Sequence, residues 1–162
     1  MELLRNVHRA IALPLILLFV SIQLQARELT LIEKTEDSRA YKGEIQLRGS
    51  YRIDYEDSDS EGTLFFHEDD KSRTKLPDND FREGIIALNP VASDVDQIVN
   101  INRMLKRFHI PKKRSRRICG YEGLATIVIK DFIAIRAGSE NGDMATLVQV
   151  VSLEKPLPIL CK

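Results

Sequence analysis

Residues 57–68, with the sequence DSDSEGTLFFHE, contain carboxylates at the spacing of a calcium-binding loop. Asp57, Asp59 and Glu61 stand at positions 1, 3 and 5 of a twelve-residue loop of this kind, and Glu68 stands at position 12. The residue at position 5 is ordinarily Asp or Asn, and the segment before the loop alternates like a strand where such a loop needs a helix. Two interpretations stay open: a solvated acidic turn between strands, or a calcium site outside its usual helical context.

Histidine and nucleophile motifs give little support for catalysis. Beyond residue 26 the chain has two histidines, His67 and His109, which are more than 40 residues apart. It has no GxSxG, HExxH, P-loop or paired CxxC motif. His67 stands beside Glu68, Asp69 and Asp70, but adjacent loop residues make a poor metal site, so we expect exposed side chains here. The sequence predicts a protein that is not an enzyme and has no cofactor, apart from the calcium alternative.

Eight basic residues and no acidic residue lie between positions 103 and 117. Such a run can meet phosphates or an acidic partner, or it can form a solvated loop after a helix. The candidate contact residues are the five at its end: Lys112, Lys113, Arg114, Arg116 and Arg117.

Phe65 and Phe66 are adjacent in the short segment 63–67, TLFFH. Successive side chains of a strand point to opposite faces, so one ring belongs to the core and the other to the outer face. An outward Phe is an anchor candidate for a binding partner, and burial under a neighbouring loop is the alternative.

The first 26 residues have the three parts of a secretory signal peptide in order. Arg5 and Arg9 supply a basic start, residues 10–20 are an unbroken apolar run, and Ala26 offers a small residue for cleavage. The alternative is an uncleaved anchor, but 11 apolar residues with Pro14 among them fall short of the roughly 20 that a membrane-spanning helix needs. We therefore predict a periplasmic or secreted protein, with a signal peptide at 1–26 and an N-terminal extension at 27–41.

Cys119 and Cys161 are the two cysteines of the chain. In an oxidising compartment such a pair most simply forms one structural disulfide. Without residues 1–26 the chain keeps 22 basic and 23 acidic residues, so no global charge points to nucleic acid or to anionic lipid.

Hydrophobic patterning predicts five strands and one helix. Residues 45–55 alternate between apolar and polar side chains, with Gly49 on the apolar face where it suggests a bulge or bend. Two further strands are predicted at 63–67 and 85–88. Apolar residues then recur three or four apart over 93–108, which predicts a helix with Ser93 as its N-cap.

The last two predicted strands, 124–137 and 145–153, flank a loop that contains Asn141-Gly142, which is typical of a hairpin. If Ala137 lies opposite Ala145, this register places Cys161 opposite position 121, two residues from Cys119. The register therefore supports the same disulfide.

Three strands, a helix and two strands, each neighbouring the next, predict a mainly β domain over residues 42–162. With the segments GEIQLRGSYRIDY, REGIIALNPV and GLATIVIKDFIAI, this order resembles the OB-fold, a five-stranded barrel, and small exported bacterial domains of that pattern. A β-sandwich is the alternative. The resemblance implies ligands on the second and third strands and on two loops that are acidic here, which would repel nucleic-acid phosphates.

Small size, export and separate acidic and basic segments favour a binding protein for another protein, because complementary charge steers association. A periplasmic immunity protein or inhibitor of a toxin or enzyme is one concrete version. The alternatives are a module for an oligosaccharide or small ligand, and a calcium-binding protein.

Overall fold

The computed structural model describes residues 28–55, 63–89, 97–111, 115, 117–138 and 142–161. These residues form two short helices, α1 (Asp70–Arg73) and α2 (Gln97–Arg107). Their strands are β1 (Thr30–Lys34), β2 (Ser38–Asp54), β3 (Leu64–Glu68), β4 (Ile85–Asn89), β5 (Ile118–Ile135), β6 (Asp143–Leu153) and β7 (Leu157–Leu160). The prediction of a mainly β chain is confirmed.

The sheet closes into a ring of five strands in the order β2, β3, β4, β6, β5 and back to β2. The long strands β2 and β5 close it, with antiparallel partners from Ser38↔Ile135 to Asp54↔Gly120. The expectation that each strand neighbours the next was wrong at one point, because β4 pairs in parallel with β6 and not with β5. The crossover that contains α2 makes this parallel pairing possible, since a tight turn can join only antiparallel neighbours.

The alternation read from residues 45–55 is present in β2. Apolar side chains point into the ring, and the intervening polar residues Gln46, Arg48, Ser50 and Arg52 are exposed. Gly49 marks no bulge, because the pairing of β2 with β5 is continuous from Glu44 to Asp54. The register shift in β2 lies between Tyr41 and Glu44 instead. A side chain at position 49 would overlap the carbonyl oxygen of His67, so Gly49 allows a close approach of β3.

Helix α2 places apolar side chains in the core. Met104, Leu105 and Phe108 are buried, and the Phe108 ring centroid lies 4.8 Å from that of Tyr51 in β2. The predicted helix over 93–108 is confirmed from residue 97, and its predicted N-cap Ser93 lies outside the described residues. Two backbone hydrogen bonds end the helix, from His109 N to Lys106 O and from Ile110 N to Leu105 O. His109 adopts a φ of 53°, which is the left-handed conformation common at this position of a helix end.

The predicted hairpin forms, but its predicted register was wrong. Ala125 pairs with Leu153, four residues from the expected partner, and three irregularities interrupt the pairing of β5 with β6. Cys161 is placed instead by β7, which pairs with the first residues of β5. Cys119 and Cys161 form a disulfide with their Cα atoms 5.0 Å apart. The prediction of the disulfide is therefore confirmed, although the hairpin register that was given in its support was wrong.

Three short elements have no counterpart in the prediction. β1 lies within residues 27–41 and pairs with β2, β7 pairs with β5, and α1 begins after Asp69. Asp69 caps α1, since its Oδ1 accepts a hydrogen bond of 2.7 Å from Ser72 N. Within the described residues, neither helix is long and apolar enough to cross a membrane.

Candidate binding surface

A row of side chains that includes Phe65 runs across β2, β3, β4 and β6 on the outer surface of the closed sheet. Phe65 pairs with Arg52 in β2 and with Ala87 in β4, and Ala87 pairs with Met144 in β6. Side chains of directly paired residues lie on the same face of a sheet, so these four side chains share the outer surface. Phe66 points the other way and is fully buried in the core. The expectation of one inward and one outward Phe is confirmed, and the outward ring of Phe65 is half-buried.

Arg52 is the centre of the charge on this surface. Its Nε donates a hydrogen bond of 2.7 Å to Asp54 Oδ2, and its Nη1 lies 3.8 Å from Glu122 Oε2 in β5. All three side chains are about half exposed. The hydrogen bond to Asp54 and the charge of that carboxylate raise the pKa of Arg52. The guanidinium is thus held by Asp54 on its own strand and Glu122 on β5, and Phe65 lies on the β3 side of Arg52.

A second row lies next to the first. Ser50 pairs with His67 in β3 on one side and with Leu124 in β5 on the other. His67 is exposed, as expected from the sequence, and 43% of Leu124 is exposed. We call the two rows together the Phe65 face; its members are Arg52, Phe65, Ala87, Met144, Glu122, Ser50, His67 and Leu124. The face combines an aromatic ring, an arginine and an exposed leucine.

The basic run does not join this face within the described residues. Arg117 is exposed at the start of β5, where its carbonyl oxygen accepts a hydrogen bond from Cys161 N. It is five residues from Glu122, which corresponds to about 17 Å along a strand. Lys112, Lys113, Arg114 and Arg116 lie outside the described residues.

Of the four predicted calcium ligands, the structure describes one. The side chain of Glu68 is only 1% exposed and forms an ion pair inside the ring with Arg82. A calcium site that used Glu68 would have to displace this guanidinium. Asp57, Asp59 and Glu61 lie outside the described residues, and no group of three or more potential metal ligands occurs among those described.

An open cleft of about 400 Å³ lies between the end of α2, β5 and the connection from β6 to β7. Its lining includes His109 and Pro111 from the α2 end, Tyr121 from β5, Leu153 from the end of β6, and Glu154, Lys155 and Pro156 from the β6–β7 connection. Sequence reasoning missed this cleft, because its residues are far apart in the chain. His109 adopts its left-handed conformation because α2 ends there. No sequence motif around His109 indicates that a cleft forms at this helix end.

Glu154 lines the cleft, and its charge acts on Tyr51 in the core. Its charge adds to burial in raising the pKa of Tyr51 to about 12. The Tyr51 hydroxyl is buried and has no hydrogen-bond partner among the described residues. Tyr51 lies across from Gly123 in β5, where any side chain would contact the tyrosine ring within about 3 Å.

Comparisons with known proteins found no match: no family model, no curated protein and no solved structure matches the chain.

Proposed function

We propose that this chain is an exported, non-enzymatic binding protein with an OB-like ring that binds a partner protein through the Phe65 face. The closed ring of five strands and the helix between its third and fourth strands support the OB-like assignment. The disulfide between Cys119 and Cys161 supports an oxidising compartment, where such bonds persist. An immunity protein or inhibitor that neutralises a toxin or enzyme is the most concrete version of this proposal.

The outward position of Phe65 carries the proposal. Phe65 belongs to β3, the second strand of the closed sheet, and it is paired with Arg52 in β2. The Arg52 side chain is held in turn by two carboxylates, those of Asp54 and Glu122. Aromatic residues and arginine dominate the binding energy of protein interfaces, and they act best when neighbouring residues exclude water. Ala87, Met144 and Leu124 supply apolar surface around this pair. Fixed charges at Asp54 and Glu122 give the face a pattern that can select a complementary partner.

The test compares wild type with Phe65→Ala as bait. The chain from Arg27 onward is immobilised and exposed to envelope and culture extracts of the host, and retained proteins are identified by mass spectrometry. We expect wild type to retain a specific protein that Phe65→Ala and Arg52→Ala lose. Leu31→Ala is the matched control, because Leu31 is an exposed apolar residue on β1, outside the Phe65 face.

Two results would contradict the proposal: wild type retains nothing beyond background, or Phe65→Ala retains the same protein at the same level. Circular dichroism and thermal unfolding of each variant show whether a loss of binding reflects the surface alone.

A small ligand such as an oligosaccharide is the second candidate, and the cleft favours it. Its volume of about 400 Å³ lies within the range of small-molecule sites, and Tyr121 offers an aromatic wall. The left-handed backbone of His109 also places a residue that is not glycine in a costly conformation, as is common at functional sites. Calorimetric titration of wild type and Lys155→Ala with a panel of oligosaccharides tests this candidate; the absence of heat from every member counts against it.

Calcium binding through residues 57–68 stays a prediction of the sequence. A melting temperature that is the same in millimolar calcium and in chelator would eliminate it, because a ligand of the folded state raises its stability.

A further inference from the structure

Three ionisable side chains are buried together at one end of the ring. Glu68 ends β3, Arg82 lies just before β4, and Asp143 begins β6. Each of these side chains is at most 1% exposed. Arg82 Nη1 donates a hydrogen bond of 2.8 Å to Glu68 Oε1 and lies 3.1 Å from Asp143 Oδ2. The single guanidinium of Arg82 therefore forms ion pairs with two carboxylates.

The cluster is incompletely hydrogen-bonded. Asp143 Oδ1 accepts a hydrogen bond of 2.9 Å from Ile135 N, at the end of β5. Asp143 Oδ2, Glu68 Oε2 and Arg82 Nε are buried without a hydrogen-bond partner among the described residues. The contact between Asp143 Oδ2 and Arg82 is thus an ion pair without hydrogen-bond geometry. Asp143 Oδ2 is therefore the oxygen of this carboxyl group that accepts no hydrogen bond from any described residue and is available to bind a proton.

The charges of the cluster do not balance when all three groups are ionised. Two carboxylates and one guanidinium leave a net negative charge in a site without solvent, and uptake of one proton removes this cost. Burial raises the pKa of Asp143 to about 6 against the opposing effects of the Ile135 hydrogen bond and of Arg82. The charges of Glu68 and Glu83 make smaller contributions to the same increase in the pKa of Asp143.

Two further cations approach the cluster but are turned to solvent. Arg73 in α1 and Glu68 both lie close to Gly84, where each would contact an added Cβ atom within about 3.5 Å. Arg136 follows β5, forms an isolated bridge with Arg82 through the backbone, and has its side chain beside Glu36 and Asp37. Both arginines are exposed, so water screens their charge and the net negative charge inside the ring remains.

The cluster also fastens the base of the β5–β6 hairpin. Besides the bond from Ile135 to Asp143, Ala137 N donates to Phe81 O and Gly138 N donates to Glu83 Oε1, each at 2.8 Å. Residues 81–83 and the base of the hairpin are therefore held together directly around Arg82.

We propose that the Glu68–Arg82–Asp143 cluster holds the base of the β5–β6 hairpin closed when it has bound a proton and allows it to open when it has not. We call this arrangement the lock. With a proton on Asp143 Oδ2, taken from solvent, the buried charges balance and the hairpin base stays fastened. Without it, the surplus negative charge favours local opening, which admits water to the carboxylates. Met144 follows Asp143 and lies on the Phe65 face, so the lock also makes binding at that face depend on pH. This last step rests on the proposed function.

Hydrogen exchange of the Ile135 amide tests the lock without any partner. We expect its protection, corrected for intrinsic exchange, to fall about tenfold or more between pH 5 and pH 7.5 in wild type. Asp143→Asn should remove this pH dependence. Asp131→Asn is the matched control, because Asp131 lies on β5 like Ile135 but its side chain is 59% exposed. This variant should show the same pH dependence as wild type.

A titration of the wild-type Asp143 carboxyl carbon by nuclear magnetic resonance decides the matter even if Asp143→Asn fails to fold. A pKa near 6 supports the lock, whereas an ordinary value near 4 or pH-independent exchange at Ile135 overturns it. Once a partner is captured, its affinity is measured at pH 5 and pH 7.5. Equal affinities with pH-dependent exchange would remove only the coupling to the Phe65 face, and failure to capture any partner would bear on the proposed function alone.

Discussion

Gly49 in β2 lies directly against the backbone of His67 in β3. A Cβ atom at position 49 would overlap the His67 carbonyl oxygen and lie 2.8 Å from Glu68 Cα. Backbone atoms of a paired strand cannot move aside as a flexible side chain does. The close approach of β3 to β2 therefore depends on a glycine, and it sets the position from which Phe65 reaches the outer surface and Glu68 reaches the interior.

Gly49→Ala should destabilise the fold by about 2 kcal/mol or more, because the added methyl group pushes two paired strands apart. Urea denaturation at equilibrium measures the change. Ser50→Ala is the control at the next residue, whose side chain is exposed; it should stay within roughly 0.5 kcal/mol of wild type. Equal stabilities of the two variants would mean that β3 does not approach β2 as closely as described.

The pattern of β2 could be read from the sequence because one face of that strand is buried and the other is exposed. Hydrophobic alternation records this contrast directly, and Ile45 to Ile53 show it without interruption. The edge strands give no such signal. All five residues of β1 are exposed, and Leu157 and Leu160 of β7 are exposed as well. A strand without a buried face leaves no period in its sequence.

The register of the hairpin and the buried cluster could not be read for a different reason. Three irregularities shift the pairing of β5 with β6, so a register extended from the turn cannot predict the partners near the far end of the hairpin. Asp143 follows Asn141-Gly142 and Arg82 lies in a polar stretch, so both resemble solvated loop residues. Only the closure of the ring brings Glu68, Arg82 and Asp143 together. Local patterning in the sequence therefore predicts helices and strands. It cannot predict the buried cluster, which depends on contacts between segments that are distant in the chain.

Loss of the disulfide should destabilise the protein by about 4 kcal/mol, because the bond between Cys119 and Cys161 closes a loop across a separation of 42 residues in the unfolded chain. The double variant Cys119→Ser, Cys161→Ser and wild type are unfolded in urea with and without reductant. Reductant should weaken wild type and leave the double variant unchanged. Two free thiols in the purified wild-type protein, detected by alkylation, would contradict the pairing.

The Asp69 cap should give stability with the opposite pH dependence to that of the buried cluster. The hydrogen bonds with Ser72 lower the pKa of Asp69, so the folded state favours the charged form. This stability is present above the ordinary pKa of Asp and is lost as the pH falls through the lowered value. Asp69→Ala should therefore lower the melting temperature at pH 7 and have little effect near pH 2. Asp70→Ala is the control; an equal effect of both variants at pH 7 would argue against a specific cap.

His109→Gly should stabilise the protein by roughly 0.5–1 kcal/mol. His109 holds a φ of 53° at the end of α2, a conformation that costs an L-residue energy and costs glycine little. The two hydrogen bonds that end the helix use backbone atoms alone, so the substitution preserves them. His109→Ala keeps the unfavourable backbone and should give no gain, which separates the effect of φ from loss of the imidazole. Equal stabilities of the glycine and alanine variants would show that the helix end carries no strain at His109. A more stable His109→Gly protein that loses ligand binding in the cleft would explain why a histidine occupies a position that favours glycine.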